Sequence, residues 1–325
     1  MTLTIEDHAA DWLVALHAPQ DRDAPAVLRP SGPADEVLHA NLSGMLLGWR
    51  DFPEAMDFLA PRSPNAAWKG LMTRLYAEQI DELLGSLPQG RVLDLACGIG
   101  RFARALLEAG SEVDGVDATR PSLEAAGVHL APFAGRVRLL WGDVTDPAAL
   151  AALAPPYDAA FALELLCYLP DPAAALQAWL PLLRPGAPLI LSVEAWPGAL
   201  LADPVGLDAG ALGEALRTRC LHEPGVRHVR AFTRAELVAL LHDSGFQDLR
   251  VAGTHYVLDG PLGALAEPSR LEGPDGDTAE TALLALERLL RSDLNVDVPP
   301  RAWIAVAHAP PHARAPGAPP TPGLS

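Results

Sequence analysis

The chain has 325 residues, half of them hydrophobic and a fifth charged, enough to bury one large core or a core with an appended cap. With 41 Asp and Glu against 24 Lys and Arg the formal net charge is −17, and no basic cluster offsets phosphate repulsion, so nucleic acid is excluded as an expected partner. Cys97, Cys167 and Cys220 are scattered outside any Cys-x-x-Cys pattern, the N-terminus has no basic n-region, and no apolar run reaches the roughly 18 residues of a membrane span, which suggests a cytoplasmic chain with no disulfide framework, thiolate metal site or membrane anchor.

Residues 1–65 carry helical stretches from Ile5 to His17 and from Glu36 to Leu47, separated by Pro-rich connectors, with no strand pattern. Apolar residues such as Trp12, Leu13, Leu46 and Trp49 mark this segment as an N-terminal helical cap. From 66 to 309 strands and helices alternate, the pattern of a mainly parallel α/β sheet covered on both faces. The helix "AAWKGLMTRLYAEQIDELLGSL" leads into the first strand, "RVLDLA". Strands two to five are "SEVDGVD", "GRVRLLWGDV", "PYDAAFALELL" and "APLILSVEA". Thr233 and Glu236 form a capping box at the head of the next helix, which Gly245 stops. "DLRVAGTHYVL" and "RAWIAVAHA" read as closing strands, separated by an insertion over about 259–300 that holds the helix "TAETALLALERLL". Residues 310–325 are Pro-rich and read as a disordered tail.

The turn "GIGRFA", Gly98 to Ala103, satisfies G-x-G-x-x-[G/A], and Asp117 ends the next strand close to the ~20-residue offset of an acid on a ribose diol. Gly98 and Gly100 remove side chains where backbone passes close to a ligand, beside the free N–H groups of a helix N-terminus. A tight turn with no ligand is the plainer reading. The carboxylate ending the second strand outweighs it, because it repeats the geometry of an adenosine site. Asp94, four residues before Gly98, repels a pyrophosphate and suits a cation.

With D-x-A-x-G-x-G in "VLDLACGIGRFA", the acid in "VDGVDATRPSLEAA", the Gly-Asp of "LLWGDV" and the run "FALELLCYLPDPAAALQAWLPLLRPGAPLILSVEA", the sequence resembles the class I S-adenosylmethionine-dependent methyltransferase family over about 66–258. The resemblance implies a Rossmann-like, doubly wound, seven-stranded, mostly parallel sheet with an antiparallel last strand, and S-adenosyl-L-methionine as cofactor. It implies that Asp94 orients the ligand's ammonium, with backbone at Ala96, Gly98 and Gly100 lining the methionine end. Asp117 would accept both ribose hydroxyls, and Asp143 would meet the adenine amino group, with Gly142 giving the base room and Val144 packing beside it. Asp143 as a simple cap of the turn "GDVTD" stays open as the alternative. Two departures stand out: the usual first glycine is Ala96, and the position where relatives often carry His in "LEHL" is Tyr168, which removes a familiar general base.

Methyl transfer asks mainly that the acceptor atom be held in line and dry. Open α/β sheets place ligands at strand carboxyl ends, which singles out Glu164, Tyr168 and Glu194 as candidate catalytic groups. Against each stands an equally weighted plain reading: a cofactor-side or solvated end, helix packing, and a surface carboxylate before Trp196–Pro197. Trp68 and Tyr76 are candidates to close over a cationic sulfur, although aromatics at helical spacing are more often core. The histidines, His222 and His228 included, lack metal-ligand spacing, and Ser192 and His242 lack a nucleophile elbow, so neither a metal nor a hydrolase is expected.

The expected function is therefore a methyltransferase with a small-molecule acceptor, whose identity and oligomeric state the sequence leaves open. Three alternatives remain: an enzyme that transfers or cyclises the aminobutyrate arm and releases methylthioadenosine, a non-catalytic cofactor-binding protein, and a dinucleotide oxidoreductase.

Overall fold

The computed structural model describes residues 3–17, 33–64, 66–202, 209–223, 227–263, 276–292 and 297–311; the tail expected from 310 lies, beyond 311, outside them. The strands are β1 (Ile5–Asp7), β2 (Arg91–Leu95), β3 (Glu112–Asp117), β4 (Val137–Trp141), β5 (Ala159–Ala162), β6 (Pro188–Glu194), β7 (Cys220–Glu223), β8 (Arg227–Arg230), β9 (Gln247–Thr254) and β10 (Ala302–His308). The helices are α1 (Asp11–His17), α2 (Pro33–Asp51), α3 (Pro53–Met56), α4 (Ala66–Leu84), α5 (Arg101–Glu108) and α6 (Arg120–His129). They continue as α7 (Pro147–Ala151), α8 (Pro172–Trp179), α9 (Gly198–Ala202), α10 (Ala209–Thr218), α11 (Arg234–Asp243) and α12 (Gly276–Ser292). Among the described residues no helix is long and apolar enough to cross a membrane.

One sheet orders its strands β1-β4-β3-β2-β5-β6-β10-β9, and β10, the last in the chain, runs antiparallel to both neighbours while the pairs from β1 to β6 are parallel. Alternation along each strand splits the apolar residues between two cores. Val92, Ile190, Ile304 and Val306 pack on one face with Tyr76, Leu106 and Leu123 from α4, α5 and α6. Leu93, Leu189, Leu191 and Ala305 pack on the other with Leu176 of α8 and Leu237 of α11. Burial on both faces is what makes β2 and β6 read as continuous apolar runs.

Two elements differ from expectation. The sheet has eight strands among the described residues, not seven, because β1 adds to the edge at β4, pairing Ile5 with Leu139 and Asp7 with Trp141. The segment expected to be helical from Ile5 thus begins as a strand, and its helix starts only at Asp11. A three-residue strand shows no periodicity of its own; it exists because it satisfies the open edge of β4. The second difference is the antiparallel hairpin β7–β8, which the sequence reading passed over. The capping box forms as expected, with Thr233 Oγ1 accepting from the Glu236 N–H and the Glu236 carboxylate accepting from the Thr233 N–H.

The insertion between β9 and β10 supplies α12, whose Glu287 is buried and accepts from three consecutive backbone N–H groups, Tyr256 (3.0 Å), Val257 (2.8 Å) and Leu258 (2.7 Å). This carboxylate closes the turn after β9 in place of secondary structure. Replacing Glu287 with Ala leaves buried donors unmet, and urea unfolding should show a loss of about 2–4 kcal/mol. The exposed pair between Arg288 of the same helix and Glu78 of α4 serves as the control, since Arg288→Ala should change stability by less than about 1 kcal/mol.

Candidate active site

Between β2 and α5 the backbone turns through three left-handed residues: Ala96 (φ 61°), Gly98 (φ 55°) and Gly100 (φ 84°). The two glycines serve different ends. A Cβ on Gly98 would meet nothing within 4 Å, whereas one on Gly100 would come 2.9 Å from Leu130 Cδ1, so the first opens onto free space and the second lets α5 pack. Ala96 keeps its methyl group in a region that disfavours side chains by roughly 1–2 kcal/mol. The turn is held from the neighbouring strand: the Gly98 N–H donates to Asp117 Oδ2 (2.8 Å) and the Thr119 N–H to Asp117 Oδ1 (2.7 Å).

The turn borders a cavity of about 480 Å³, within the range of small-molecule sites. Asp94, Ala96, Gly98, Asp117, Asp143 and Val144 face it from the strand ends. Leu38, Leu42, Met45 and Trp49 of α2 and Phe58 face it from the N-terminal segment. Two contacts anchor α2 there. Asn41 Nδ2 donates to the Tyr168 (3.0 Å) and His228 (2.9 Å) carbonyls while its Oδ1 accepts from the His228 N–H, and Trp49 Nε1 donates to Ser122 Oγ (2.9 Å).

Asp94 is 4% exposed, its Oδ2 has no hydrogen-bond partner, and burial together with the nearby Asp117 charge pushes its pKa up to about 7 against the opposing pull of Arg101. Burial also raises Asp117, partly offset by its backbone donors at Thr119 and Gly98. Asp143 faces the cavity and also caps its turn, accepting from the Thr145 N–H (2.8 Å) and Oγ1 (2.9 Å). Gly142, expected to give the base room, is not among the residues that border the cavity; a Cβ there would come 2.9 Å from Ala149 Cβ and 3.4 Å from His8 O, so its glycine serves packing between α7 and the N-terminal segment.

Glu164, at φ 54°, donates its N–H to Ser192 Oγ (2.9 Å) and pairs with Arg101 Nη2 at 3.3 Å. Its side chain is 44% exposed, and whatever solvent it loses to its neighbours is outweighed by Arg101, Lys69 and His255, which hold the carboxyl down at about 2. Glu164 and Tyr168 form a common wall between the large cavity and a second one of about 170 Å³. Glu194 borders only the smaller cavity, where Arg301 grips it through Nη2 (3.2 Å) and Nε (3.3 Å). Tyr76 lies on that side too, its hydroxyl donating to Ser192 Oγ (3.2 Å). Trp68 reaches neither cavity; its Nε1 donates to Asp259 Oδ1 (2.7 Å) and its ring packs in the side core.

Sequence reasoning missed Arg101, which opens α5, pairs with Glu164 and lies between the Phe58 and Phe102 rings at 5.4 and 4.5 Å. Its place directly after G-x-G was the available signal. It also missed Lys69, His255 and Arg301, which only folding brings together. No cluster of metal-ligating side chains exists among the described residues.

The methyltransferase-domain family matches residues 68–251. Among curated relatives, the ubiquinone biosynthesis O-methyltransferase of Alkalilimnicola ehrlichii is 32% identical over 118 residues, 36% of this chain and 47% of that protein. That of Psychrobacter arcticus is 29% identical over 166 residues, 51% of this chain and 62% of that protein. The chain thus spans about half to three-fifths of their length. A solved structure of similar fold is the Burkholderia thailandensis 1,6-didemethyltoxoflavin-N1-methyltransferase with bound 1,6-didemethyltoxoflavin and S-adenosylhomocysteine, with TM-score 0.50, 18% identity, and coverage of 87% of this chain and 92% of that one.

The raised pKa of Asp94 has a consequence for the ligand-free protein. Because the folded value lies above the unfolded one, its contribution to stability is fully present below about pH 4 and is lost as pH rises through about 7. The stability of the wild type relative to Asp94→Asn should fall over that window with a slope of at most about 1.4 kcal/mol per pH unit, read from urea midpoints at several pH values.

Proposed function

The chain belongs to the class I S-adenosylmethionine-dependent methyltransferase family, and from that premise we propose that it moves the sulfonium methyl group onto a small-molecule acceptor. The observation that carries the proposal is a cavity in which a buried carboxylate with one unpartnered oxygen, a left-handed glycine turn and Asp117 face Glu164 and Tyr168 under an apolar helix. Asp94 would hold the ligand's ammonium, which explains why its Oδ2 lacks a partner within the chain. Backbone at Ala96 and Gly98 would line the methionine end, Asp117 would take the ribose hydroxyls on its remaining lone pairs, and Asp143 and Val144 would flank the adenine. Gly100 and Gly142 support this arrangement through packing alone.

Bound there, S-adenosylmethionine supplies an electrophilic methyl on a sulfonium. The chain's own part is to position and to dry. Leu38, Leu42 and Met45 of α2 cover the cavity, so on this reading the N-terminal segment 1–65 caps a methyltransferase-like domain of residues 66–309 through α2, while its β1 extends that domain's sheet. Glu164, held ionised by Arg101, is a fixed negative charge beside the reacting region, too acidic to serve as a base near neutrality. Tyr168 and Glu164 would orient the acceptor, and Glu194 would act on it only from the smaller cavity. A reducing, cytoplasmic setting belongs to the same proposal, in keeping with the free thiols of Cys97, Cys167 and Cys220.

Asp117→Ala should weaken S-adenosylmethionine binding by roughly 1.5–3 kcal/mol in calorimetry, with Asp117→Asn intermediate because it keeps one acceptor for the glycine turn. Unchanged affinity would remove Asp117 from the site. The reaction type is read from the by-product. Methyl transfer leaves S-adenosylhomocysteine, whereas attack on the aminobutyrate carbon leaves methylthioadenosine, and chromatography after incubation with a metabolite extract should show the former. Methylthioadenosine formed above the background rate without any acceptor would overturn the methyl-transfer reading.

A further inference from the structure

The 170 Å³ cavity lies on the other side of Glu164 and Tyr168 from the residues proposed to hold the cofactor. Lys69 and Tyr76 of α4, Glu164 after β5, Glu194 ending β6, His255 after β9 and Arg301 before β10 meet there. It therefore belongs to the β5–β6–β10–β9 half of the sheet, while Asp94, Asp117 and Asp143 belong to the β2–β3–β4 half.

Its charges already have partners of opposite sign. Arg301 lies 3.2 and 3.3 Å from the two oxygens of Glu194, Lys69 Nζ is 3.4 Å from Asp259 Oδ2, and Arg101 is 3.3 Å from Glu164. A carboxylate entering the cavity would face Glu164, Glu194 and Asp259, and an ammonium would face Lys69 and Arg301, so either would have to break an existing pair. Among the described residues of this lining, the buried side-chain atom without a hydrogen-bond partner is uncharged. His255 is 2% exposed, its Nδ1 is 3.0 Å from Thr254 Oγ1, and its Nε2 has no hydrogen bond. Burial, reinforced by Arg301 and Arg101, outweighs Glu164 and Asp259 and keeps the ring neutral, with its pKa down at about 4. Three non-glycine residues with left-handed backbone, Glu164 (φ 54°), His255 (φ 59°) and Asp259 (φ 55°), border this one small space, and strain of that kind gathers where ligands are held.

We propose that this cavity is the subsite for the polar end of the acceptor, a neutral hydroxyl-bearing group of the phenol or alcohol class, hydrogen-bonded to His255 Nε2. A hydroxyl both donates and accepts, so it matches Nε2 in whichever tautomer the Thr254 contact selects. The rest of the acceptor then passes the Glu164–Tyr168 wall into the larger cavity beneath α2. The inference rests on the small-molecule methyltransferase reading and names the chemistry of its acceptor.

The test uses the full chain labelled with nitrogen-15 at histidine, titrated with phenol, toluene, benzoate and benzylamine, while calorimetry on the same sample follows S-adenosylmethionine. Phenol should shift the His255 Nε2 resonance and bind about tenfold more tightly than the other three probes. His255→Asn assigns that resonance and suits the left-handed backbone; it should lower phenol affinity about tenfold and leave S-adenosylmethionine affinity within about twofold. Equal binding of toluene, benzoate or benzylamine, or an unmoved His255 signal, overturns the subsite, and this wild-type comparison stands even if the variant folds poorly. A wild-type protein that shows no phenol selectivity yet binds S-adenosylmethionine overturns the subsite alone. A wild-type protein that fails to bind S-adenosylmethionine overturns the parent reading instead.

Discussion

The Asp117 carboxylate is the joint on which the site is built. It ends β3, yet both its oxygens accept backbone N–H groups, one from Gly98 in the turn after β2 and one from Thr119 at the head of α6. Parallel pairing brings the carboxyl ends of β2 and β3 side by side, and this one side chain converts that adjacency into a fixed geometry for the glycine turn. Buried hydrogen bonds to a charged group are among the stronger polar contacts a protein makes, and here they hold a turn with three left-handed residues, one of them an alanine.

Burial brings carboxylates close together here, and the chain answers in different ways on the two sides of the site. Asp94 and Asp117 share one buried neighbourhood, and Asp94 carries the result as a raised pKa and an unpartnered oxygen, a local electrostatic deficit that a cation would relieve. On the far side Arg101, Lys69 and Arg301 neutralise Glu164, Asp259 and Glu194 one for one. One half of the site is thus left wanting a positive group, and the other is balanced and leaves a neutral histidine nitrogen free.

The added elements act through particular contacts. Helix α2 is tied to the loop after β5 and to the hairpin β7–β8 through the Asn41 amide, so the roof of the large cavity and part of its floor form one hydrogen-bonded unit. At the other end, Glu287 of α12 holds the turn that follows β9 and thereby sets the ground on which His255 stands. Both anchors, the half-buried Asn41 and the buried Glu287, are polar groups satisfied by backbone, which confer position more than net stability.

What the sequence determined by itself is what depends on neighbours in the chain. The alternating strands β2 to β6, the left-handed glycine turn, the acid ending β3 and the Thr233–Glu236 capping box all follow from periodicity and turn chemistry within a few residues, and together they carried the family resemblance. Tertiary structure decided what depends on distant partners. β1 is a strand only because the edge of β4 is open, and Gly142 is glycine because Ala149 and His8 crowd it. Glu194 is drawn to Arg301, more than a hundred residues away, and so borders the smaller cavity and not the larger one. Lys69, His255 and Arg301 carry no shared spacing, because a site assembled from α4 and the ends of β9 and β10 has its geometry in the sheet order and not in the chain order.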